Sequence, residues 1–330
     1  MEHVTRPPLS TWNPLLPFGY SYACRLNKMV SSSMTLPPLY KYLDVSGAKL
    51  TLKNRTFKHA KPSDFNDLED LTIQSIFPED TEEALKRIAG GLTNVILSHL
   101  DEEPTCGSPM KEIIMALQQS LRANPGTADI GQTELIDSVP QIYDLEYERD
   151  RAREHIAVIN EFMQRFRVLC VTIHKDSERM WTEYAEKHKG VCLRIQPNLT
   201  KDSKFQLFRP VMYKDKRPPL YEDTLEFIAG AFFGDHKARI KEIVERIIYT
   251  KTLDWQHKGE YRLAIPIGED EPAWNTDPYY PEEITELYLG LEMERSDTEE
   301  LVEKARNINP DMAIYRANRD SVGKLVFDQV

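Results

Sequence analysis

The spacing of apolar residues changes period several times along the chain, and each change predicts an element. Leu39-Tyr40-Lys41-Tyr42 is a short β-prone run followed by a turn over 44–47. Residues 49–59 read as one or two strands, in which Thr51, Thr56 and Phe57 favour extension. Pro62, Ser63, Asp64, Asn66 and Asp67 form a dense turn cluster. From 81 to about 121 the period becomes helical. Leu85, Ile88, Leu92, Val95 and Ile96 share one face, and Ile113, Ile114, Leu117 and Leu121 share another, although Gly90-Gly91 lowers the local propensity. A loop is expected over 124–129. Ile156, Ile159, Met163 and Phe166 predict a third helix over about 144–166.

The clearest buried strand is Val168-Leu169-Cys170-Val171-Thr172-Ile173. A short helix follows it, with Asp176 or Ser177 as N-cap and Gly190 just beyond its end. Residues 191–195 predict a strand and 205–213 an extended segment. A long helical stretch over 220–248 is broken near Gly234. Further strands are expected at 260–265, 284–289, 312–317 and 325–327, with a helix over 298–307. Helices and strands do not alternate regularly enough for a doubly wound fold. The pattern predicts an α+β fold, a mixed and mainly antiparallel sheet with a large helical insertion. The expected organisation is one domain over 34–330, with its helical block at about 75–166. Residues 1–33, rich in Pro, Ser and aromatics without periodicity, read as an extension or mobile arm.

Composition narrows the function classes. The chain has 330 residues, 41% hydrophobic and 29% charged, as water-soluble globular proteins have. No stretch approaches the roughly 20 apolar residues of a membrane span, and Pro7, Pro8, Pro14 and Pro17 interrupt any signal-peptide core. A cytoplasmic protein without a membrane partner is expected. The net charge of -11 disfavours nucleic acid as a partner; Lys214, Lys216 and Arg217 beside Pro218 read as a solvated turn. Cys24, Cys106, Cys170 and Cys192 form no CxxC pair and read as reduced, structural thiols. The histidines have no metal-ligand spacing, and the usual phosphate, dinucleotide, zinc and nucleophile motifs are absent. No metal site is therefore expected.

Three groups carry candidate chemistry. Tyr40-Lys41-Tyr42 precedes the polar turn Asp64-Phe65-Asn66-Asp67, whose residue types local turn hydrogen bonding also explains. Met180, Trp181 and Tyr184 share a helical face; such a stripe forms core or walls a pocket in which a flat ring stacks. Lys251 and Trp255 precede Glu260 and Arg262, which point to one face of a strand while Tyr261 and Leu263 point to the other. That face is either a solvated ion pair or a cleft wall with Glu260 as a catalytic carboxylate.

Taken in order, Leu39-Tyr40-Lys41-Tyr42, Phe65-Asn66-Asp67, Met180-Trp181-x-x-Tyr184-Ala185 with Gly190, and Lys251-x-x-x-Trp255-x-x-x-x-Glu260-Tyr261-Arg262 resemble the bacterial domain of unknown function family DUF2971. The resemblance departs at Asp67-Leu68-Glu69 and at His257-Lys258-Gly259, both in expected loops. A looser likeness is to ADP-ribosyltransferases, including toxin and phage-defence members. It implies an NAD-dependent effector in stress or phage defence, with NAD as substrate and a macromolecular acceptor. It further implies Glu260 acting at the ribose, Lys41 or Tyr42 touching the dinucleotide, and Tyr184 stacking on nicotinamide. Trp181 and Arg262 complete the pocket set. The same groups equally fit a non-enzymatic module that recognises a small-molecule ligand or a partner.

Overall fold

Backbone groups need partners, so the sheet is best followed through its ladder. The computed structural model describes residues 36–330 apart from 68, 125, 127–131 and 269–272. The extension expected at 1–33 and most of the loop expected at 124–129 lie outside the described residues. Contacts divide the described residues into two compact units, one holding 71–163 and 216–250, the other 36–70, 164–215 and 251–330.

The second unit carries the strands Leu39–Leu43 (β1), Thr56–Lys58 (β2), Phe166–Thr172 (β3), Val191–Ile195 (β4), Arg209–Pro210 (β5) and Met212–Lys214 (β6). Thr250–Thr252 (β7), Glu260–Pro266 (β8), Thr276–Pro278 (β9), Ile284–Leu289 (β10), Ala313–Arg319 (β11) and Leu325–Gln329 (β12) follow. Eight of these form one sheet in the order β12-β11-β10-β4-β1-β3-β8-β5. Its neighbours run antiparallel except β10 and β11, which are parallel and joined through the helix Arg295–Ile308. A parallel pair needs such a crossover, whereas the antiparallel pairs do not. The fold is α+β, with a mixed and mainly antiparallel sheet, as the apolar pattern predicts.

Period-2 alternation sends the sheet's side chains into two cores. Leu39, Leu169, Leu193, Leu263 and Leu287 pack with Ala48, Leu52, Leu301 and Ala305 from two helices. On the opposite side Tyr40, Tyr42, Cys192 and Tyr288 pack with Trp181 and Met180. Residues 45–54 depart from the turn over 44–47 and the strand from 49 expected there. They form the helix Val45–Asn54, because the Asp44 side chain accepts from the Gly47 amide and caps the first turn. Ala48, Thr51 and Leu52 then bury at helical spacing, and Arg55 ends the helix at φ 55°. Thr51 is β-prone, but one cap and one buried face outweigh a few tenths of a kcal/mol of propensity. The segment expected to be extended at 205–213 begins as a 3-10 turn, Lys204–Leu207, and only then enters β5 and β6.

Gly190 has a specific steric role. A Cβ there would lie 2.1 Å from the Leu43 carbonyl oxygen and 3.0 Å from the Ala185 Cα, both backbone atoms. Gly190→Ala is therefore expected to cost at least about 1–3 kcal/mol through overpacking. An unfolding midpoint in urea identical to wild type would contradict this.

In the first unit Asp80 caps Thr81–Ser98 by accepting from the Glu82 and Glu83 amides. Gly90-Gly91 do not interrupt this helix; a Cβ on Gly91 would meet Leu225 Cδ2 at 2.4 Å, so the missing side chain admits a neighbouring helix. Met110–Ala123 and Leu145–Met163 match expected helices, and Gln132–Ile142 is an additional one. The stretch expected over 220–248 is two helices, Thr224–Phe233 and His236–Ile248, divided at Gly234 with Asp235 capping the second. Among the described residues, no helix is long and apolar enough to cross a membrane.

Candidate functional site

Strand β8 projects Glu260 and Arg262 onto one face, and Asp70 reaches the same place from the end of the turn segment. Arg262 donates through Nη1 to Asp70 Oδ1 at 3.0 Å, through Nη2 to Asp70 Oδ2 at 2.6 Å and through Nε to Glu260 Oε1 at 2.6 Å. Lys251 Nζ lies 2.7 Å from Asp70 Oδ2 and 3.5 Å from Glu260 Oε2. All four side chains are buried. Two cations thus balance two carboxylates away from water, with planar, bidentate geometry at the arginine. The Glu260 amide donates to Tyr213 Oη at 2.9 Å, which fixes the start of the strand. The Glu/Arg face is therefore neither a solvated pair nor an open wall at Arg262.

Above this cluster opens a cavity of about 200 Å³. Its walls include Lys41 and Tyr42 from β1, Cys170 from β3, Tyr184, Lys258 and Glu260, with residues 64–67 of the turn at one side. Lys258 is only 7% exposed. Its Nζ donates to Tyr184 Oη and stands 4.1 Å from the Trp255 ring centre and 4.8 Å from that of Tyr184. Thr172 Oγ1 donates to the Lys258 carbonyl at 2.5 Å, and Gly259 follows at φ 49°, so the turn that presents Lys258 is tied to β3. Lys41 Nζ donates to the Cys170 carbonyl at 2.9 Å. Among the described residues no carboxylate lies within 4.0 Å of the ammonium of either lysine. Buried cations are ordinarily paired, so these two stand out.

Lys41, Tyr42, Tyr184 and Glu260 converge on this cavity, while Trp181 and Arg262 do not. Trp181 is fully buried in the core, where its Nε1 donates to the Lys175 carbonyl at 2.9 Å and its ring meets Tyr42 edge-on at 5.2 Å. Trp181 is packing, whereas Met180 and Tyr184 of the same stripe line the cavity. Arg262 is fully buried as the anchor of the charge cluster, with Phe65 over its guanidinium at 5.6 Å. Tyr42 presents its ring but spends its hydroxyl on the His174 carbonyl at 2.9 Å. Sequence reasoning overlooked Lys258, Asp70 and the site role of Cys170. Lys258 stands two residues before Glu260 and next to Gly259, a visible turn signal; Asp70 follows the polar turn, but nothing in its vicinity points to β8.

Electrostatics assign protonation states. Burial works to raise the Glu260 pKa, but Arg262 and Lys251 with the Arg262 and Cys170 hydrogen bonds outweigh it and hold the group at about 2. Burial, helped by the Glu260 charge, pushes the Cys170 thiol up to about 12, so it stays protonated and unreactive. Tyr184 is likewise raised to about 12, first by burial and then by Glu183. Burial lowers Lys41, with the Glu260 charge opposing it. Lys258 is lowered by burial and further by the Lys251 charge.

Residues 180–263 match the family model DUF2971, described as a protein of unknown function. The DUF2971 match takes in Tyr184, Lys251, Lys258, Glu260 and Arg262, whereas Lys41, Asp70 and Cys170 lie outside it. No curated protein and no solved structure matches the chain. Among the described residues no group of three or more His, Cys, Asp or Glu could hold a metal ion.

Proposed function

We propose that the cavity recognises a small anionic ligand bearing a flat ring, of the mononucleotide class. The observation that carries this reading is the pair of lysines, Lys41 and Lys258, turned into one cavity without an acid partner. A phosphate supplies the missing negative charge, and lysine serves it as a point charge. The rings of Tyr42, Phe65 and Tyr184 on the same walls offer apolar faces to a planar base. At about 200 Å³ the cavity is smaller than the roughly 300–1,000 Å³ that enclose drug-sized ligands, so a dinucleotide leaves part of itself outside.

The ADP-ribosyltransferase likeness makes NAD a further ligand to test. There Glu260 would stabilise positive charge developing at the ribose. Both its oxygens are already engaged by Arg262 and Lys251, which favours recognition over glycosidic cleavage. Calorimetric titration with AMP, adenosine and inorganic phosphate tests the reading. AMP is expected to bind at least tenfold more tightly than either half of itself. Failure of all three to bind would remove the proposal, and release of nicotinamide from NAD would restore the enzymatic reading.

A further inference from the structure

The two unpaired lysines of the cavity differ in their neighbours, and that difference has a chemical consequence. Lys41 lies near the Glu260 carboxylate, which favours its ammonium. Lys258 feels Glu260 too, but it also has Lys251 beside it, whose charge opposes its ammonium more strongly: both ammonium groups stand against the Trp255 ring, at 4.7 Å for Lys251 and 4.1 Å for Lys258. Lys251 is ion-paired with Asp70 and Glu260. A desolvated lysine next to a second, locked cation is the arrangement in which an amine becomes nucleophilic near neutral pH. The Tyr184 hydroxyl, already in hydrogen-bond contact with Lys258 Nζ, retains its proton at that pH.

We propose that Lys258 captures a phosphorylated aldehyde as an imine in this cavity, because its amine lies buried against Trp255 and Tyr184, beside an ion-paired lysine and without a carboxylate of its own. This rests on the anion-binding reading above, with Lys41 holding the phosphate. The neutral amine attacks the carbonyl carbon, and the carbon–oxygen π pair moves to oxygen. Nitrogen gives up a proton and the oxygen gains one through Tyr184, forming a carbinolamine. A second proton transfer lets water leave as the carbon–nitrogen double bond forms. The sum is amine plus aldehyde giving imine plus water, with no oxidant or reductant.

Pyridoxal 5′-phosphate serves as the probe, at pH 7 and at one equivalent per chain, followed by borohydride reduction, intact mass measurement and peptide mapping. One adduct on Lys258 is expected, reduced at least tenfold in Lys258→Arg and several-fold when unphosphorylated pyridoxal replaces the probe. Labelling scattered over surface lysines such as Lys324, or an unchanged yield in Lys258→Arg, would overturn the proposal. AMP titration of the wild-type chain separates the two levels. Retained AMP binding with scattered labelling refutes the imine alone, whereas no AMP binding refutes the anion pocket beneath it.

Discussion

Replacing Arg262 with methionine is expected to remove about 3–5 kcal/mol of folding stability, the cost of leaving a buried charge cluster unbalanced. The methionine occupies most of the arginine's path, so the effect is electrostatic more than volumetric. Asp70 loses both hydrogen bonds from the guanidinium and Glu260 loses one, leaving two buried carboxylates to share Lys251. Arg262→Met combined with Asp70→Leu removes one charge of each sign and is expected to recover part of the loss, since apolar replacement of a whole buried pair is often neutral. The acid limb changes as well. Glu260 titrates at about 2 in the folded chain, below its ordinary value of 4.5. Its stabilising contribution is complete above that ordinary value and is lost as the pH falls towards 2. Arg262→Met removes the strongest of the charges that hold it down, so the Glu260 contribution shrinks and its loss is complete at a higher pH. Urea unfolding between pH 3 and 7 reads both effects. A variant as stable as wild type over that range would contradict the account of the cluster.

Lys41→Met is expected to weaken AMP binding by at least tenfold, about 1.4 kcal/mol or more. It deletes one of the cavity's two lysines that lack a carboxylate within 4.0 Å among the described residues, while leaving Lys251, Asp70 and Arg262 paired. Lys41→Arg keeps the charge and is expected to restore much of the affinity. The wild-type affinity carries a pH signature. Burial lowers both Lys41 and Lys258 from the ordinary lysine value. A bound anion needs Lys41 protonated, so affinity falls as pH rises, starting below the pH at which surface lysines titrate. An affinity that is flat up to the ordinary lysine range, or untouched by Lys41→Met in a variant of wild-type stability, would contradict it. Glu260→Gln is a poor probe of function by comparison, because it breaks the buried cluster and confounds activity with folding.

Much of the sheet is legible in the sequence because its strands are buried on both faces or alternate cleanly. Val168, Leu169, Val171 and Thr172 are all nearly inaccessible, and an uninterrupted apolar run is what such a strand requires. The helix Val45–Asn54 is not legible on the same terms. Its three buried positions are few, its middle holds Thr51, and its start depends on a single Asp44 cap. Gly90-Gly91 mislead for a related reason. They look like a weak point, but Gly91 provides the clearance Leu225 needs and Gly90 that for Ile136.

The site shows the same division. Lys41, Tyr184 and Glu260 are visible as polar or amphipathic residues within otherwise apolar elements, and they do meet. Their arrangement is not visible, because Arg262 and Asp70 are 192 residues apart in the chain and only the fold brings them together. Trp181 sits at the same helical spacing as Met180 and Tyr184, yet it is core while both of those line the cavity. Spacing places side chains on a face. It does not say where along that face the core ends.

A crystal structure of the chain soaked with AMP tests the central claim most directly. Density for the phosphate within hydrogen-bond distance of Lys41 or Lys258, with the base against the cavity's tyrosines, is the predicted result. An empty cavity at saturating AMP, or a nucleotide bound elsewhere on the chain, would contradict it.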